Sequence, residues 1–396
     1  MCKTETIKAF FESSGGILPL IPIFVPRRFG VTGRRLRLHP DDYYALGTKR
    51  GSIKERWFSS VIAAMNGADA APDEGMSYVD MGEGEEKISL KDFVETMQAD
   101  LVGEGCWNKH HTWPMYSKFF DYEGPLFHHM HLGFEDAARV GKLGKPEAYY
   151  YPPQYNNYPG TFPHTYFGFS PEVTREEIRE RLANFTNGDT RITEISRAYR
   201  IELGTGWYTA PGVVHAPGSY LTYEPQWNSD VNAVFENITD NEIYDDNFLY
   251  ENVPADRQGD PDAVIDMMDW EKNVDPDYRK HFFRAPITLT DNDAYIEKQI
   301  VYDTGYVEAK ELTVKPGCTA VITDETAYGC IIVQGYGKMD EHPCAVSTML
   351  RYGQKSEDEF FVSSVAAKRG VRIQNLSKTE PLVMLKHYPA IEAQQR

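Results

Sequence analysis

Residues 128–147 have the sequence HHMHLGFEDAARVGKLGKPE, which contains a His-x-His pair and ends in a glutamate. On a β-strand, side chains at positions i and i+2 lie on the same face, so His129 and His131 can be directed at one ion. Glu147 adds a carboxylate from a later strand, and His215 adds a third imidazole after the Pro-Gly turn of the segment APGVVH. Three imidazoles and one carboxylate suit zinc, manganese or iron with coordination positions left open. The sequence therefore predicts a metal site.

The same segment also allows a simpler interpretation. A His-x-His pair is compatible with an ordinary strand whose histidines form hydrogen bonds within the protein. His128 lies beside a predicted ligand but faces the other side of the strand, so we assign it to packing or to the surroundings of the site. The glutamate and the Pro-Gly-x-x-His segment, following in this order, favour the metal site.

The length and charge of the chain limit the classes of partner. With 396 residues, the chain can bury a large core and form more than one compact unit. It has 41 Lys and Arg residues against 59 Asp and Glu residues, and its formal net charge is −18. An acidic protein repels nucleic acid and anionic membranes, so neither is expected as a partner. A small molecule is expected instead, and assembly as a homo-oligomer is left open.

The cysteines and the first apolar segment bear on location. The five cysteines are scattered without the spacing of a metal-finger motif, which favours reduced thiols in a cytoplasmic protein. The apolar run 17–25 is short and is broken by Pro19 and Pro22. It therefore has the features of neither a membrane span nor a signal peptide.

Short apolar runs predict a mainly β protein with a few helices. From about 113 to 240, aromatic and β-branched runs alternate with Gly and Pro turns, which is typical of a barrel or sandwich. One helix is predicted from 171 to 185, with Ser170 and Thr174 as candidate N-caps. Another is predicted from 89 to 97 with Ser89 as its N-cap, and a helical segment is predicted around 264–270. Further strands are predicted at 307–314, 319–323, 330–333, 372–376 and 381–387.

The ordered His-x-His, Glu and Pro-Gly-x-x-His series resembles the cupin pattern. The residues around it resemble the class I mannose-6-phosphate isomerases within that superfamily, and the matching segments occur in order along most of the chain. They are Glu55-Arg56-Trp57, WPMYSKFFD at 113–121, GKPEAYY at 144–150, Tyr223-Glu224 with Asn228-Ser229-Asp230, and IIVQGYG at 331–337.

This resemblance implies a mainly β bicupin, with two β-barrel or jelly-roll domains and an added helical layer. The implied domains are a metal-binding cupin barrel at 1–240 with N-terminal strands and helical insertions, a helical connecting segment at 241–295, and a second barrel at 296–396. The second barrel has Tyr328, Gly329 and Cys330 where ligands would stand. It is therefore expected to be degenerate and without metal ligands.

The resemblance also assigns roles to individual residues. The family's metal ligands fall on His129, His131, Glu147 and His215. The family normally has glutamine at the first of these positions. Glu135 is the rival carboxylate because simpler cupins place their ligand there, but the GKPE segment favours Glu147. Lys118 matches the family's active-site lysine and Glu224 its active-site glutamate. One divalent metal ion is implied, with zinc preferred and manganese or iron as alternatives.

Two departures from the family pattern concern the substrate. The family's arginine, four residues after Asp230, is replaced by Val234, and a phosphate-contacting serine two residues before the first ligand is replaced by Phe127. Both changes remove an anion-binding group. We therefore expect a sugar without phosphate, unless Arg139, Lys142 or Lys145 supplies replacement charge.

The matched residues suggest a mechanism of aldose–ketose isomerisation. A metal would polarise the sugar carbonyl while a base moves a proton between C1 and C2. Glu224 is the candidate base and Lys118 the fixed positive charge, although an ordinary strand carboxylate and a surface lysine are the alternatives. Lys145, Trp207 and Tyr223 are candidate substrate-binding residues. The two aromatic side chains would serve equally well in the core.

A metal-dependent sugar isomerase is therefore the leading hypothesis for function. A cupin oxygenase is the first alternative, because three histidines and one glutamate also hold Fe(II). A non-catalytic, metal-containing, sugar-binding bicupin is the second. The Lys118 and Glu224 matches favour the isomerase, since oxygenase chemistry does not require them.

Overall fold

The protein is built mainly from antiparallel strands, which confirms the predicted fold class at this level. The computed structural model describes residues 2–84, 87–156, 162–239 and 242–390. The strands among these residues, β1 to β27 in chain order, are Ile17–Ile21, Ile23–Arg27, Ser52–Phe58, Tyr78–Val79, Ile88–Ser89, Met115–Phe120, His129–Met130, Glu147–Tyr150, His164–Phe169, Ser196–Arg200, Gly206–Thr209, His215–Ala216, Thr222–Trp227, Ala233–Val234, Ile238–Thr239, Glu242–Ile243, Phe283–Arg284, Ile287–Asp291, Tyr295–Val301, Val307–Val314, Thr319–Ile322, Tyr328–Gln334, Tyr336–Met339, His342–Ala345, Glu359–Val362, Val371–Asn375 and Leu382–Pro389.

The helices of the described residues are mostly short. In chain order, α1 to α11 are Lys3–Ser13, Leu90–Met97, Ala99–Val102, Glu104–His110, Phe134–Arg139, Arg175–Ala183, Asn247–Tyr250, Pro261–Asp266, Trp270–Asn273, Tyr278–Phe282 and Ser364–Arg369. Single 3₁₀ turns lie at Pro40–Asp42, Thr48–Arg50, Ile192–Glu194 and Ala255–Arg257. None of the described helices combines the length and apolar character needed to span a membrane.

Two predicted helices are confirmed together with their caps. Helix α6 begins after Thr174, whose side chain accepts a hydrogen bond from the Glu177 amide at 3.2 Å. Helix α2 begins after Ser89, whose hydroxyl accepts from the Asp92 amide at 3.1 Å. The segment around 264–270 forms parts of two short helices, α8 and α9, because Asp269 caps a new helix there.

A seven-stranded sheet with the strand order β17-β11-β8-β13-β6-β3-β2 carries different chemistry on its two faces. On β13, Glu224 points to one face, where it contacts Lys118 of β6 at 3.1 Å. The neighbouring residue, Tyr223, points to the other face and packs on Phe119 with ring centroids 5.8 Å apart. This alternation follows from the two-residue period of a strand. One face is therefore polar, and the other contributes to the main apolar core.

A five-stranded sheet with the strand order β10-β9-β12-β7-β14 lies against the polar face. In its register, His129 of β7 is directly opposite His215 of β12 on one side and Val234 of β14 on the other. Residues opposite one another in an antiparallel pair share a face. The Nε2 atom of His131 lies 3.0 Å from a carboxylate oxygen of Glu147 on the seven-stranded sheet. The predicted metal site therefore lies between these two sheets.

The second half of the chain forms a nine-stranded sheet, β18-β19-β20-β27-β22-β25-β1-β4-β5, and a four-stranded sheet, β21-β26-β23-β24. The strand predictions for this half are confirmed, with ends within two residues of those observed. The early strand β1 also joins the larger sheet, where Ile17 is opposite Val362. The division into two cupin barrels stays a prediction. The proposed boundary at 240–241 and the last residues, 391–396, lie outside the described residues.

Buried polar contacts join the seven-stranded and nine-stranded sheets. Arg56 of β3 donates two hydrogen bonds to the carboxylate of Asp358, next to β25, at 2.9 and 2.6 Å. The Tyr150 hydroxyl of β8 donates to Glu311 of β20 at 2.7 Å. The side chains of Arg56 and Asp358 are 2% and 0% exposed, so neither charge can turn to water if its partner is lost.

We expect Arg56→Met to lower the free energy of unfolding by about 3–5 kcal/mol, because Asp358 would remain as an uncompensated buried charge. Arg372→Met is the matched control. It removes an exposed ion pair with Glu341 and is expected to cost at most about 1 kcal/mol. Urea denaturation followed by circular dichroism measures both variants. A loss for Arg56→Met no larger than that of the control would contradict this role.

Candidate metal centre

Three histidines converge between the two sheets. His129 begins β7, His131 follows that strand, and His215 begins β12. One ring nitrogen of each histidine lies within 4.8 Å of those of the other two, and all three side chains are buried. The i, i+2 spacing brings the first two histidines to one face, and the strand register brings the third beside them. This group could therefore hold a metal ion.

Backbone carbonyl groups set the orientation of each imidazole. The Nδ1 atoms of His129, His131 and His215 lie 3.0, 2.8 and 2.9 Å from the carbonyl oxygens of Phe127, Val231 and Val213, respectively. A carbonyl oxygen only accepts hydrogen bonds, so each Nδ1 carries the hydrogen. Each Nε2 then keeps the lone pair that a metal requires, an arrangement common among metal-binding histidines.

Glu147 joins the histidines from the seven-stranded sheet. Its Oε2 lies 3.0 Å from Nε2 of His131, and its Oε1 lies 3.3 Å from Nε2 of His215. The Tyr149 hydroxyl donates to Oε1 at 2.7 Å and helps to fix the carboxylate. Lone pairs of nitrogen and oxygen thus lie close together. The Lys145 ammonium contacts two of these atoms, Oε2 of Glu147 and Nε2 of His131, whereas the buried Nε2 of His215 has no hydrogen-bond partner among the described residues. Acceptors placed so closely fit a cation between them.

Burial keeps the imidazoles neutral. Burial, together with the neighbouring histidines, lowers the pKa of His129 well below its usual value. Burial also lowers the pKa of His131 to about 4. For Glu147, burial opposes ionisation, but the adjacent Lys145 ammonium outweighs it and holds the pKa of the carboxyl well below its usual range. Neutral imidazoles and an ionised carboxylate are the protonation states that metal binding requires.

Three further predicted residues lie beside this group. The Lys145 Nζ is 3.1 Å from both Oε2 of Glu147 and Nε2 of His131. Oε1 of Glu224 is 3.1 Å from Nζ of Lys118 and 3.8 Å from Nζ of Lys145. Burial and the neighbouring Glu147 charge raise the pKa of Glu224 to about 8. The structure therefore places Glu224 close to the predicted ligands and Lys118 beside Glu224, and Lys118 is the one of the two that lines the neighbouring cavity.

A cavity of about 130 Å³ opens beside His129 and His131. It is smaller than the roughly 300–1,000 Å³ of most ligand pockets and so has room for one small molecule. One part of its lining is charged and another part is apolar. The charged residues are Arg27, Glu55, Lys118, Lys145, Asp230 and Glu251, and the apolar ones are Phe29, Met65, Leu126, Phe127 and Phe248, with Tyr122 and Asn232 completing the lining.

Arg27 is a cavity residue that the sequence analysis missed. Its guanidinium donates to both oxygens of Glu55 at 3.0 and 3.1 Å, to Asp230 at 3.2 Å and to Asn66 at 2.9 Å. Glu55 lies in turn 4.0 Å from the Lys118 ammonium. The motif that contains Glu55 could have identified this glutamate as a cavity residue from the sequence. No local pattern could have identified Arg27, because 203 positions separate it from its partner Asp230.

The structure places two predicted substrate-binding residues outside the cavity lining. Trp207 is enclosed in an aromatic core, where it stacks on Phe167 with ring centroids 5.0 Å apart. Tyr223 forms a hydrogen bond with Nδ1 of His387 at 2.8 Å, on the face of β13 opposite to Glu224. Adjacent residues of a strand point to opposite faces of the sheet. If Glu224 points into the site, Tyr223 points away from it.

The rival carboxylate and the adjacent histidine are also accounted for. Glu135 lies on helix α5, where its side chain is 89% exposed and pairs with Arg139 at 3.4 Å. His128 faces away from the other histidines, as predicted, and its Nδ1 lies 2.8 Å from Glu236. Of the two candidate carboxylates, the structure places only Glu147 beside the histidines.

Comparison with known proteins bears on the fold. No protein-family model matches the chain, and no curated protein matches its sequence. The mannose 6-phosphate isomerase from Bacillus subtilis is similar over 94% of this chain and 99% of its own, with a TM-score of 0.61 and 15% identity. The putative mannosephosphate isomerase from Archaeoglobus fulgidus is similar over 95% of this chain and 98% of its own, with a TM-score of 0.61 and 15% identity. A mutant of phosphomannose isomerase from Salmonella typhimurium is similar over 95% of this chain and 100% of its own, with a TM-score of 0.60 and 12% identity.

The chain has the fold of the mannose 6-phosphate isomerases. The resemblance found in the motifs is therefore confirmed for the fold. Identities of 12–15% do not extend this conclusion to the reaction or the substrate. These have to be argued from the site.

We expect His131→Ala and His215→Ala each to lose most of the bound metal, because each change removes one nitrogen from a four-ligand set. His128→Ala is the matched control and should keep its metal, since that ring pairs with Glu236. Inductively coupled plasma mass spectrometry of the purified variants measures the metal, and circular dichroism verifies folding. Full metal content in either ligand variant would contradict the assignment.

Proposed function

We propose that the chain is a metal-dependent aldose–ketose isomerase that acts on a sugar without a phosphate group. One observation carries the proposal: oriented imidazoles and Glu147 form a buried donor set, and Glu224 lies next to it within 3.1 and 3.8 Å of two lysines. The fold shared with solved mannose 6-phosphate isomerases supports the same class of reaction.

The metal would be held by His129, His131, Glu147 and His215. Imidazole and carboxylate donors suit zinc, which we propose first, and also manganese or iron. When bound, such a cation polarises the sugar carbonyl and makes the neighbouring C–H bond more acidic. Aldose–ketose interconversion requires this activation.

Glu224 is the proposed base. Its carboxylate takes the proton from C2 of the open-chain aldose and returns it to C1. The proton of the C2 hydroxyl passes to the oxygen on C1, so that the carbonyl group moves from C1 to C2 and the ketose forms without any other reactant. Lys118 carries a fixed charge because burial, which lowers its pKa, is outweighed by Glu224 and Glu55, so its pKa lies above the usual value. That charge stabilises the negative charge that develops on the sugar oxygen. Lys145, at the cavity lining, orients a hydroxyl group of the sugar.

The cations of the cavity are already paired with carboxylates, which supports an uncharged sugar. Arg27 donates to Glu55 and Asp230, and both lining lysines contact Glu224. A phosphate group requires positive charge that is not already neutralised, whereas a hydroxyl group needs only one remaining N–H donor of an ammonium group. Lys142, one of the residues considered as a source of replacement charge, donates to Asn252 instead.

Proton–deuterium exchange at C1 and C2 tests the proposal. The purified protein, analysed for metal, is incubated in deuterium oxide with free and phosphorylated aldoses and ketoses and followed by NMR. We expect exchange with an unphosphorylated sugar, loss of exchange on chelation, and recovery when zinc or manganese is restored. Oxygen consumption by the iron-loaded protein without exchange would point to an oxygenase. Bound metal without any turnover would point to a non-catalytic sugar-binding protein.

Glu224→Gln is expected to lower kcat by about 10²–10⁴-fold, the usual contribution of a positioned base, while metal content stays unchanged. Glu135→Gln is the matched control, because that glutamate is exposed on helix α5. Rates of proton–deuterium exchange at C1 and C2, measured by NMR, test the role of Glu224. Equal rates for Glu224→Gln and the unmodified protein would remove this residue from the mechanism.

A further inference from the structure

One side of the cavity is formed by an apolar wall beside His129. Phe29 and Phe127 line the cavity, and Val234 and Tyr244 complete the same small hydrophobic cluster. The ring of Phe127 contacts the rings of Phe29 and Tyr244, with centroids 5.1 Å apart in both cases. The apolar wall is defined here as these four residues.

Backbone contacts fix the apolar wall relative to the histidines. Val234 is directly opposite His129 in the pairing of β14 with β7. The carbonyl oxygen of Phe127 accepts the hydrogen bond from Nδ1 of His129. Phe127 and Val234 are also the two positions where the sequence departs from the family pattern. The two apolar replacements therefore fall in one cluster, at a set place beside the predicted metal ligands.

One further residue extends the apolar side of the cavity. Phe248 lines the cavity and packs on Tyr244 of the apolar wall, with ring centroids 5.4 Å apart. An apolar part of a ligand that lies along the wall would therefore also meet this ring. Glu251, an exposed residue of the same lining, adds negative charge there.

The opposite side of the cavity can bind hydroxyl groups. Lys118 and Lys145 offer N–H donors, Asp230 offers a carboxylate, and Asn232 offers both a donor and an acceptor. A ligand with hydroxyls along one edge and an apolar end matches this division. A ligand with a charged end does not.

We infer that the substrate is a neutral monosaccharide whose terminal carbon, remote from the carbonyl, is a methyl group, as in a 6-deoxyhexose. The inference rests on the proposed isomerase function. Moving a methyl group from water to the surface of Phe29 and Phe127 is favourable and strengthens binding. A hydroxyl there would lose its hydrogen bonds to water without replacement, and a phosphate would in addition face Glu251.

The test compares sugars that differ only at C6. Hexoses of manno, galacto and gluco configuration are each used as the parent sugar, the 6-deoxy form and the 6-phosphate, and dissociation constants are measured by isothermal titration calorimetry. For the configuration that binds best, we expect the 6-deoxy form to bind about 10–100-fold more tightly than the parent, the range for one small group in an apolar pocket. We expect the 6-phosphate to bind most weakly. Equal affinities, tightest binding of the phosphate, or no binding at all would overturn the inference.

Variants of the apolar wall test whether these residues cause the preference for 6-deoxy sugars. Phe29→Ser should bring the ratio of the dissociation constants of the parent sugar and its 6-deoxy form close to one. Phe127→Ser is the second variant if the first does not fold. Phe162→Ser is the matched control, because that ring is 67% exposed and outside the cavity lining. Metal content is measured for each variant, so that a lost preference is not confused with lost metal. An unchanged ratio in the folded wall variant would overturn the assignment.

Binding and exchange distinguish this inference from the proposed function. Exchange at C1 and C2 without any preference at C6 would overturn the role of the apolar wall and leave the isomerase function intact. A preference for 6-deoxy sugars without exchange would overturn the isomerase function and leave the wall as a specificity surface.

Discussion

The alternation of side chains along the seven-stranded sheet is the constraint on which the rest of the structure depends. Strands β6, β8 and β13 direct Lys118, Glu147 and Glu224 to the face that the five-stranded sheet covers. Their neighbours, such as Tyr223, point to the other face and join the core shared with the nine-stranded sheet. Because both faces are buried, every charge on this sheet needs a partner within the protein.

The balance of buried charge determines what the site can bind. Three cations meet four carboxylates between the sheets, namely Arg27, Lys118 and Lys145 against Glu55, Glu147, Glu224 and Asp230. The pKa of Glu224 is raised to about 8, so this carboxyl is largely protonated near pH 7 and the charges then balance. When a bound cation favours its ionised form, one negative charge is in excess, and the neutral imidazoles add lone pairs without adding charge. A divalent cation corrects this excess, whereas an anionic ligand increases it. The same balance therefore supports both a metal and a sugar without phosphate.

Local patterns in the sequence predicted much of the site, and tertiary pairing decided the rest. His129 and His131 follow from the two-residue period of a strand, which needs no knowledge of the fold. Arg27 could not be found in this way, because its contact with Asp230 depends on how β2 pairs at the edge of the sheet. Tyr223 lies outside the cavity lining for a different reason: the two-residue period that directs Glu224 to the site directs the Tyr223 side chain to the other face of the sheet.

The apolar wall illustrates how one fold can accommodate different cavity linings. Many sequences satisfy the pattern of alternating burial, so the fold persists over 94% of the chain at 15% identity. Phe127 and Val234 lie in one packed cluster, however, so they are physically coupled. An arginine in place of Val234 would bury a charge against phenylalanine and tyrosine rings, and a serine in place of Phe127 alone would leave a hydroxyl among apolar groups. We therefore expect each replacement to cost less stability in the presence of the other, and the proposed substrate preference at this end of the cavity then depends on the whole cluster.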